Sequence, residues 1–203
     1  MKALIEKALV NARDYADYRT FLTQLLAQGK TTGPNQSELY LRIADLNQHR
    51  MDRLDRRDRF LPEMITTLAE LKRSYIMLVL TEGWCGDAAQ IVPLLNHMAS
   101  TTNKLQLQLV LRDEHVELMD LFLTDGGRSI PKLILLDANT HRVLGDWGPR
   151  PAVAQQMSMD YKYKTAPKED YETHHQELHT WYARNKTLDT QLELIDFLKG
   201  IDQ

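Results

Sequence analysis

Apolar residues recur every three or four positions through the first part of the chain: Leu4, Ala8, Ala12, Tyr15, Tyr18, Leu22 and Leu25 fall on one line. That spacing lays a single stripe along a helix ending at Gly29. A polar loop, "GKTTGP", separates it from a second stripe through Leu39, Ile43, Leu46 and Leu54. Asn35-Gln36-Ser37-Glu38 stands just ahead and has the form of a capping box, so a second helix is predicted there. Pro62 can open a third, shorter helix through Leu71, because a first-turn proline loses no internal hydrogen bond.

The pattern then changes. "YIMLVL", residues 75–80, is apolar on both faces, as a central strand covered on two sides must be. A helix from about Gly86 to Ser100, a strand from Leu105 and a helix around His115 to Leu123 follow. Gly126 and Gly127 turn the chain into a Pro-led apolar strand ending at Leu136, and "HRVLGDW" returns as the second arm of a hairpin. From Pro149 the pattern is helical again, with a polar break near "KTAPKED", a stripe through Tyr171, His174, Leu178 and Trp181, and a last helix from Leu188 to Leu198.

The totals narrow the picture only a little. A chain of 203 residues suits one domain and buries roughly 70% of its unfolded surface. A formal net charge of -3 gives no sign of a nucleic-acid partner. The single cysteine excludes an internal disulfide and the multi-cysteine zinc sites, and it suits a reducing, cytoplasmic setting. Glu6 and Lys7 interrupt what would be a signal region and no stretch is of transmembrane length, so a soluble protein without a membrane partner is expected.

The one cysteine lies in "TEGWCGDAAQ", between the first strand and the helix after it. A cysteine at the first turn of a helix faces unpaired N–H groups and the positive end of the macrodipole, which favour thiolate over thiol. Trp84-Cys85-Gly86, Pro93 eight residues after the cysteine, Ile130-Pro131 and Gly148 occur in an order that resembles the thioredoxin superfamily. The likeness is closest to bacterial thioredoxin-like proteins with a Trp-Cys-Gly-Asp motif. It implies an α/β sandwich, a central mixed sheet in a βαβαββα core, carrying an N-terminal helical extension and extra C-terminal helices. The expected division is 1–73, 74–165 and 166–203 within one domain.

The resemblance also implies roles. Cys85 would be the nucleophile, Trp84 would bound the groove, and Pro131, expected in the cis form, would pack beside the sulfur. The backbone at Ile130 would then pair with an extended partner. Gly86, Asp87 and Ala88 would modulate the site. Two departures stand out. The family's resolving cysteine falls on Ala88, so no internal disulfide can release a partner. The family's buried acid falls on Val79.

Asp87 acts both ways. Its carboxylate suits the helix dipole by about 0.3–1 kcal/mol, yet at about 6 Å and an effective dielectric near 20 it opposes a thiolate by about 3 kcal/mol before screening. What remains is one-thiol chemistry, a thiol-disulfide oxidoreductase of monothiol type, with glutathione or another small thiol as co-substrate and no bound cofactor. The alternative is a non-enzymatic module that binds a protein partner in the groove. The added helices also offer a surface for a homodimer.

Other features read more plainly. "HRMDRLDRRDRF" alternates Arg and Asp so closely that pairs three or four apart can neutralise one another, which favours a solvated helix face over an anion-binding patch. His175 and His179 have the spacing of two metal ligands, with Glu172 nearby, but no third ligand is evident and a polar face with stacking histidines is the plainer reading. Glu82 and Arg128 read as surface charge. Tyr161, Tyr163, Tyr171, Trp181 and Tyr182 read as packing of the last helices.

Overall fold

The computed structural model describes residues 1–56 and 60–203. Four strands, β1 (Tyr75–Thr81), β2 (Leu105–Leu111), β3 (Lys132–Asp137) and β4 (Val143–Trp147), form one mixed sheet in the order β2-β1-β3-β4. β1 runs parallel to β2 and antiparallel to β3, and β3 runs antiparallel to β4. All seven residues of β1 are buried, as its two-sided apolar run requires. Each such Leu, Ile or Val side chain withdrawn from water contributes about 1.5–3 kcal/mol before entropic costs.

The first apolar stripe is not one helix. It divides into α1 (Lys2–Val10) and α2 (Tyr15–Ala27). Between them Arg13 exchanges two backbone hydrogen bonds with Leu109 on the edge of β2, at 2.9 and 2.8 Å. Asp14 then caps α2 by accepting from the Asp17 N–H at 2.8 Å. The periodicity runs through the break because both helices turn the same face to the sheet.

α3 (Glu38–Asp55) and α4 (Pro62–Ala69) follow as predicted. The capping box ahead of α3 does not form: Ser37 caps without a side-chain bond, while Asn35 accepts from the Ser37 N–H and Gln36 ties Thr31 to Gly33. Nor, among the described residues, do the Arg and Asp side chains at the end of α3 pair with one another. Asp52 and Asp55 both bind Arg19 of α2, and Tyr15 donates to Asp55 at 2.7 Å. The rest of that alternation, residues 57–59, lies outside the described residues.

α5 (Ala88–Thr101) packs on β2 and against α3. The helix expected around residues 115–123 is only α6 (Val116–Met119), preceded by a 3-10 turn. The last three helices are α7 (Ala152–Tyr163), α8 (Tyr171–Asn185) and α9 (Leu188–Ile201). Leu194, Ile195 and Leu198 of α9 join the main core, and α9 lies against β4 and α4. α7 and α8 instead enclose a small separate cluster of Ala154, Leu178 and Tyr182. Packing therefore sets α9, within the C-terminal helical extension that the resemblance implies, against the sheet. Among the described residues no helix is long and apolar enough to cross a membrane.

Candidate functional site around Cys85

β1 delivers the chain to Glu82, and a tight turn held by the Cys85 N–H bonding to the Glu82 carbonyl carries it to α5. The Cys85 carbonyl accepts from the Ala89 N–H, so the cysteine stands at the head of the helical ladder. The Ala88 N–H points at Sγ from 3.4 Å. Sγ in turn donates to the Ile130 carbonyl at 3.2 Å, and the Ile130–Pro131 peptide beside it is cis. Gly148 closes this corner: its φ is +110°, and a Cβ there would meet the Pro131 carbonyl oxygen at 2.5 Å.

The sulfur is at a helix start, yet its environment does not favour charge. Cys85 is only 7% exposed. Burial, with the Asp87 carboxylate second, pushes the thiol up to about 12, against the pull of the Ala88 N–H and Arg150. Asp87 is buried as well, ion-paired with Arg150, and accepts from the Tyr182 hydroxyl at 2.8 Å. The carboxylate that opposes the thiolate thus also anchors α8 to the turn.

Trp84 is half-buried, with Tyr40 against its ring at 5.2 Å between centroids and the Arg112 guanidinium 4.9 Å from its centroid. Ile130 and Ala88 are buried, and Ala88 occupies the place a resolving sulfur would need. Gly86 lies directly under α8: a Cβ there would come within 2.6 Å of His179 Nε2 and 3.2 Å of His175 Nε2.

A cavity of 440 Å³ opens beside Cys85 and is walled by Trp84, Tyr40, Ile130, Tyr161, Tyr171 and Leu178. Tyr161 stacks on His174 at 4.1 Å, while Tyr171 is 63% exposed. Of the late aromatics, then, Trp181 and Tyr182 pack in the hairpin, whereas Tyr161 and Tyr171 wall the cavity. Two buried donors of the lining, Ser158 Oγ and Arg150 Nε, have no hydrogen-bond partner among the described residues.

Several other readings change. Glu82 is not surface charge: it is 1% exposed, accepts from the Asp113 N–H at 2.9 Å, and burial raises its carboxyl above the usual range. Arg128, by contrast, is surface charge as read: it is exposed and forms a bidentate pair with Asp120. His175 and His179 are not a solvated face; they are half-buried against Gly86, with Gln90 3.4 Å from His179 Nδ1. Among the described residues no three His, Cys, Asp or Glu side chains converge as metal ligands. The spacing of the histidines was visible in the sequence; their partner, almost ninety residues earlier, was not.

Comparison with known proteins fits this architecture. A crystal structure of a Pseudomonas aeruginosa protein of unknown function superposes with a TM-score of 0.60 at 15% identity, covering 96% of each chain. An HIV epitope-scaffold superposes at 0.57 and 15% identity, covering 93% of this chain and 99% of its own. These likenesses concern the fold. No curated protein matches the sequence. A family model described as thioredoxin matches residues 33–164, well over half of the 203, and takes in the turn at Cys85, the sheet and the Ile130–Pro131 corner. By sequence as well as by fold, this chain belongs to the thioredoxin family.

Proposed function

We propose that this protein is a thioredoxin-family binding module in which Cys85 is a neutral wall of a ligand cavity. The observation that carries this reading is the sulfur itself: buried beneath α8, it donates its proton to the Ile130 carbonyl. Burial pushes the thiol up to about 12, so it stays protonated at neutral pH, and the anion is the nucleophile. The occupant is a small molecule with an apolar or aromatic body, stacked among Trp84, Tyr40 and Tyr161, and an acceptor for Ser158 Oγ and Arg150 Nε. A cytosolic setting agrees with one free thiol.

Alkylation and exposure to oxidised glutathione test this. The expected result is slow alkylation up to pH 9 and no mixed disulfide with glutathione in the folded protein. Rapid alkylation at neutral pH would overturn it.

The second reading is one-thiol exchange, favoured by the Ala88 N–H directed at Sγ and the cis Ile130–Pro131 peptide beside it. In that chemistry the Cys85 thiolate attacks a disulfide, forms a mixed disulfide and expels one thiolate; a second small thiol then releases the partner. It requires α8 to move away. Ala88→Cys separates the readings, because restored disulfide reductase activity in a folded variant would show a turn still shaped for redox work.

A further inference from the structure

Gly83, which immediately precedes Trp84, is buried and lies beyond the end of β1. A buried peptide past the strand ladder needs partners for its N–H and its carbonyl from elsewhere. Both come from the N-terminal helical segment. The Gly83 N–H donates to Thr32 Oγ1 at 2.9 Å, and the Gly83 carbonyl accepts from Asn47 Nδ2 at 2.9 Å. Thr32 is 2% exposed and Asn47 1%, which removes bulk water as a substitute partner.

The segment is shaped to present these two groups. Gln36 accepts from the Thr31 N–H at 3.0 Å and donates to the Thr31 and Gly33 carbonyls at 2.9 and 2.7 Å, so it fixes the loop on either side of Thr32. Arg50 donates to Asn47 Oδ1 at 2.8 Å, which turns the amide N–H groups of Asn47 toward Gly83. The approach is close. A Cβ at Gly83 would meet Leu22 Cδ2 at 2.7 Å, and a Cβ at Gly33 would come within 2.6 Å of Asp113 Oδ2 and 3.3 Å of Trp84 Nε1. The loop therefore runs directly past the indole, and α3 goes on to set Tyr40 against it and to line the cavity at Cys85 with Leu39 and Ile43.

Glycine has the widest torsional range of any residue, so the side chain that follows it is aimed only if the peptides on both sides of the glycine are held. Here both are held, and by side chains outside the sheet. We infer that Thr32 and Asn47 are positioning residues of the cavity at Cys85: by holding both backbone groups of Gly83 they seat Trp84 against Tyr40 and give the cavity its aromatic wall. The inference rests on the reading of that cavity as a ligand site. It makes the N-terminal helical segment part of the site and not an appendage to the fold.

The test reads the tryptophan and neither the thiol nor an occupant, so its failure is distinct from failure of the binding reading. Labelling the full chain with fluorotryptophan gives one fluorine resonance for each of its three tryptophans, and that of Trp84 is identified by its loss in Trp84→Phe. In folded Thr32→Val and in folded Asn47→Asp, which keeps the acceptor for Arg50, the Trp84 resonance is expected to move toward its position in the unfolded chain, while those of Trp147 and Trp181 stay in place. Thr32→Ser, which keeps the hydroxyl, should leave all three where they are. A role in stability alone would lower the unfolding midpoint without moving the native Trp84 resonance; that result overturns the inference, as does an equal movement of all three resonances. Where a buried change prevents folding, Gln36→Ala, at an exposed position, decides: the Trp84 resonance should move in the same direction, and an unmoved one overturns the inference.

Discussion

The apolar cluster on the sheet and the small one inside the α7–α8 hairpin are held in different ways. The first gathers residues from every strand and from α1 through α6 and α9, so losing one side chain weakens a cooperative whole. The second has three buried residues and reaches the body mainly through polar links, Tyr182 and Arg150 to Asp87 and His179 beside Gln90. A unit with little apolar burial and a few polar anchors opens at lower free energy than the core beneath it. What it covers is the one cysteine. The fold thus separates the scaffold that positions the sulfur from the cap that keeps it neutral.

The largest test of that contrast is a pair of truncations. Leu80→Ala, fully buried in β1, is expected to cost about 2–5 kcal/mol of global stability in denaturant titration. Leu178→Ala should leave the global transition nearly unchanged while hydrogen exchange of α7 and α8 quickens. Equal losses in both would join the two clusters into one unit.

Acid should loosen the cap. Burial and Arg50 depress His179 to about 2, below its ordinary value near 6.5, so the closed cap binds fewer protons than the open one between those limits. Closure is therefore complete above about pH 6.5 and weakens below it by up to about 1.4 kcal/mol per pH unit. Hydrogen exchange in α8 should rise between pH 6 and 4 in the wild type and rise less in His179→Gln, where His174 and His175, also depressed by burial, still titrate.

Tyr182→Phe removes one bond to a buried carboxylate, and a loss of about 1.5–3 kcal/mol, confined to the hairpin, is expected in the same exchange experiment. Gly86→Ala makes the smallest chemical change. Its methyl would meet His179 Nε2 at 2.6 Å; if α8 shifts to relieve that contact, alkylation of Cys85 should accelerate about tenfold with the sheet intact. An unchanged rate would mean that the imidazole yields and α8 does not.

The sheet was legible because a strand buried on both faces must be apolar throughout, as "YIMLVL" is. The turn at Cys85 was legible because tryptophan, cysteine and glycine there and a proline at 131 keep a recognisable order. Local competition hid other features. The break between α1 and α2 preserves the helical period, so only the backbone pairing of Arg13 with Leu109 betrays it. Long-range partners hid the rest: Asp52 and Asp55 look self-neutralising until Arg19 claims both, and His179 looks solvent-facing until Gly86 is placed under it. Asp87 was read as a local influence on the thiol, and its part in docking α8 depended on Tyr182 and Arg150, far along the chain.

Direct titration of the Cys85 thiolate by its ultraviolet absorbance, in the folded protein, bears hardest on the claim that the cap keeps this sulfur protonated. No thiolate is expected until well above pH 9. The same elevation means that the buried thiol's contribution to stability is complete below about 8.5, the ordinary cysteine value, and is lost as pH rises toward about 12. A midpoint at or below pH 7 would contradict it.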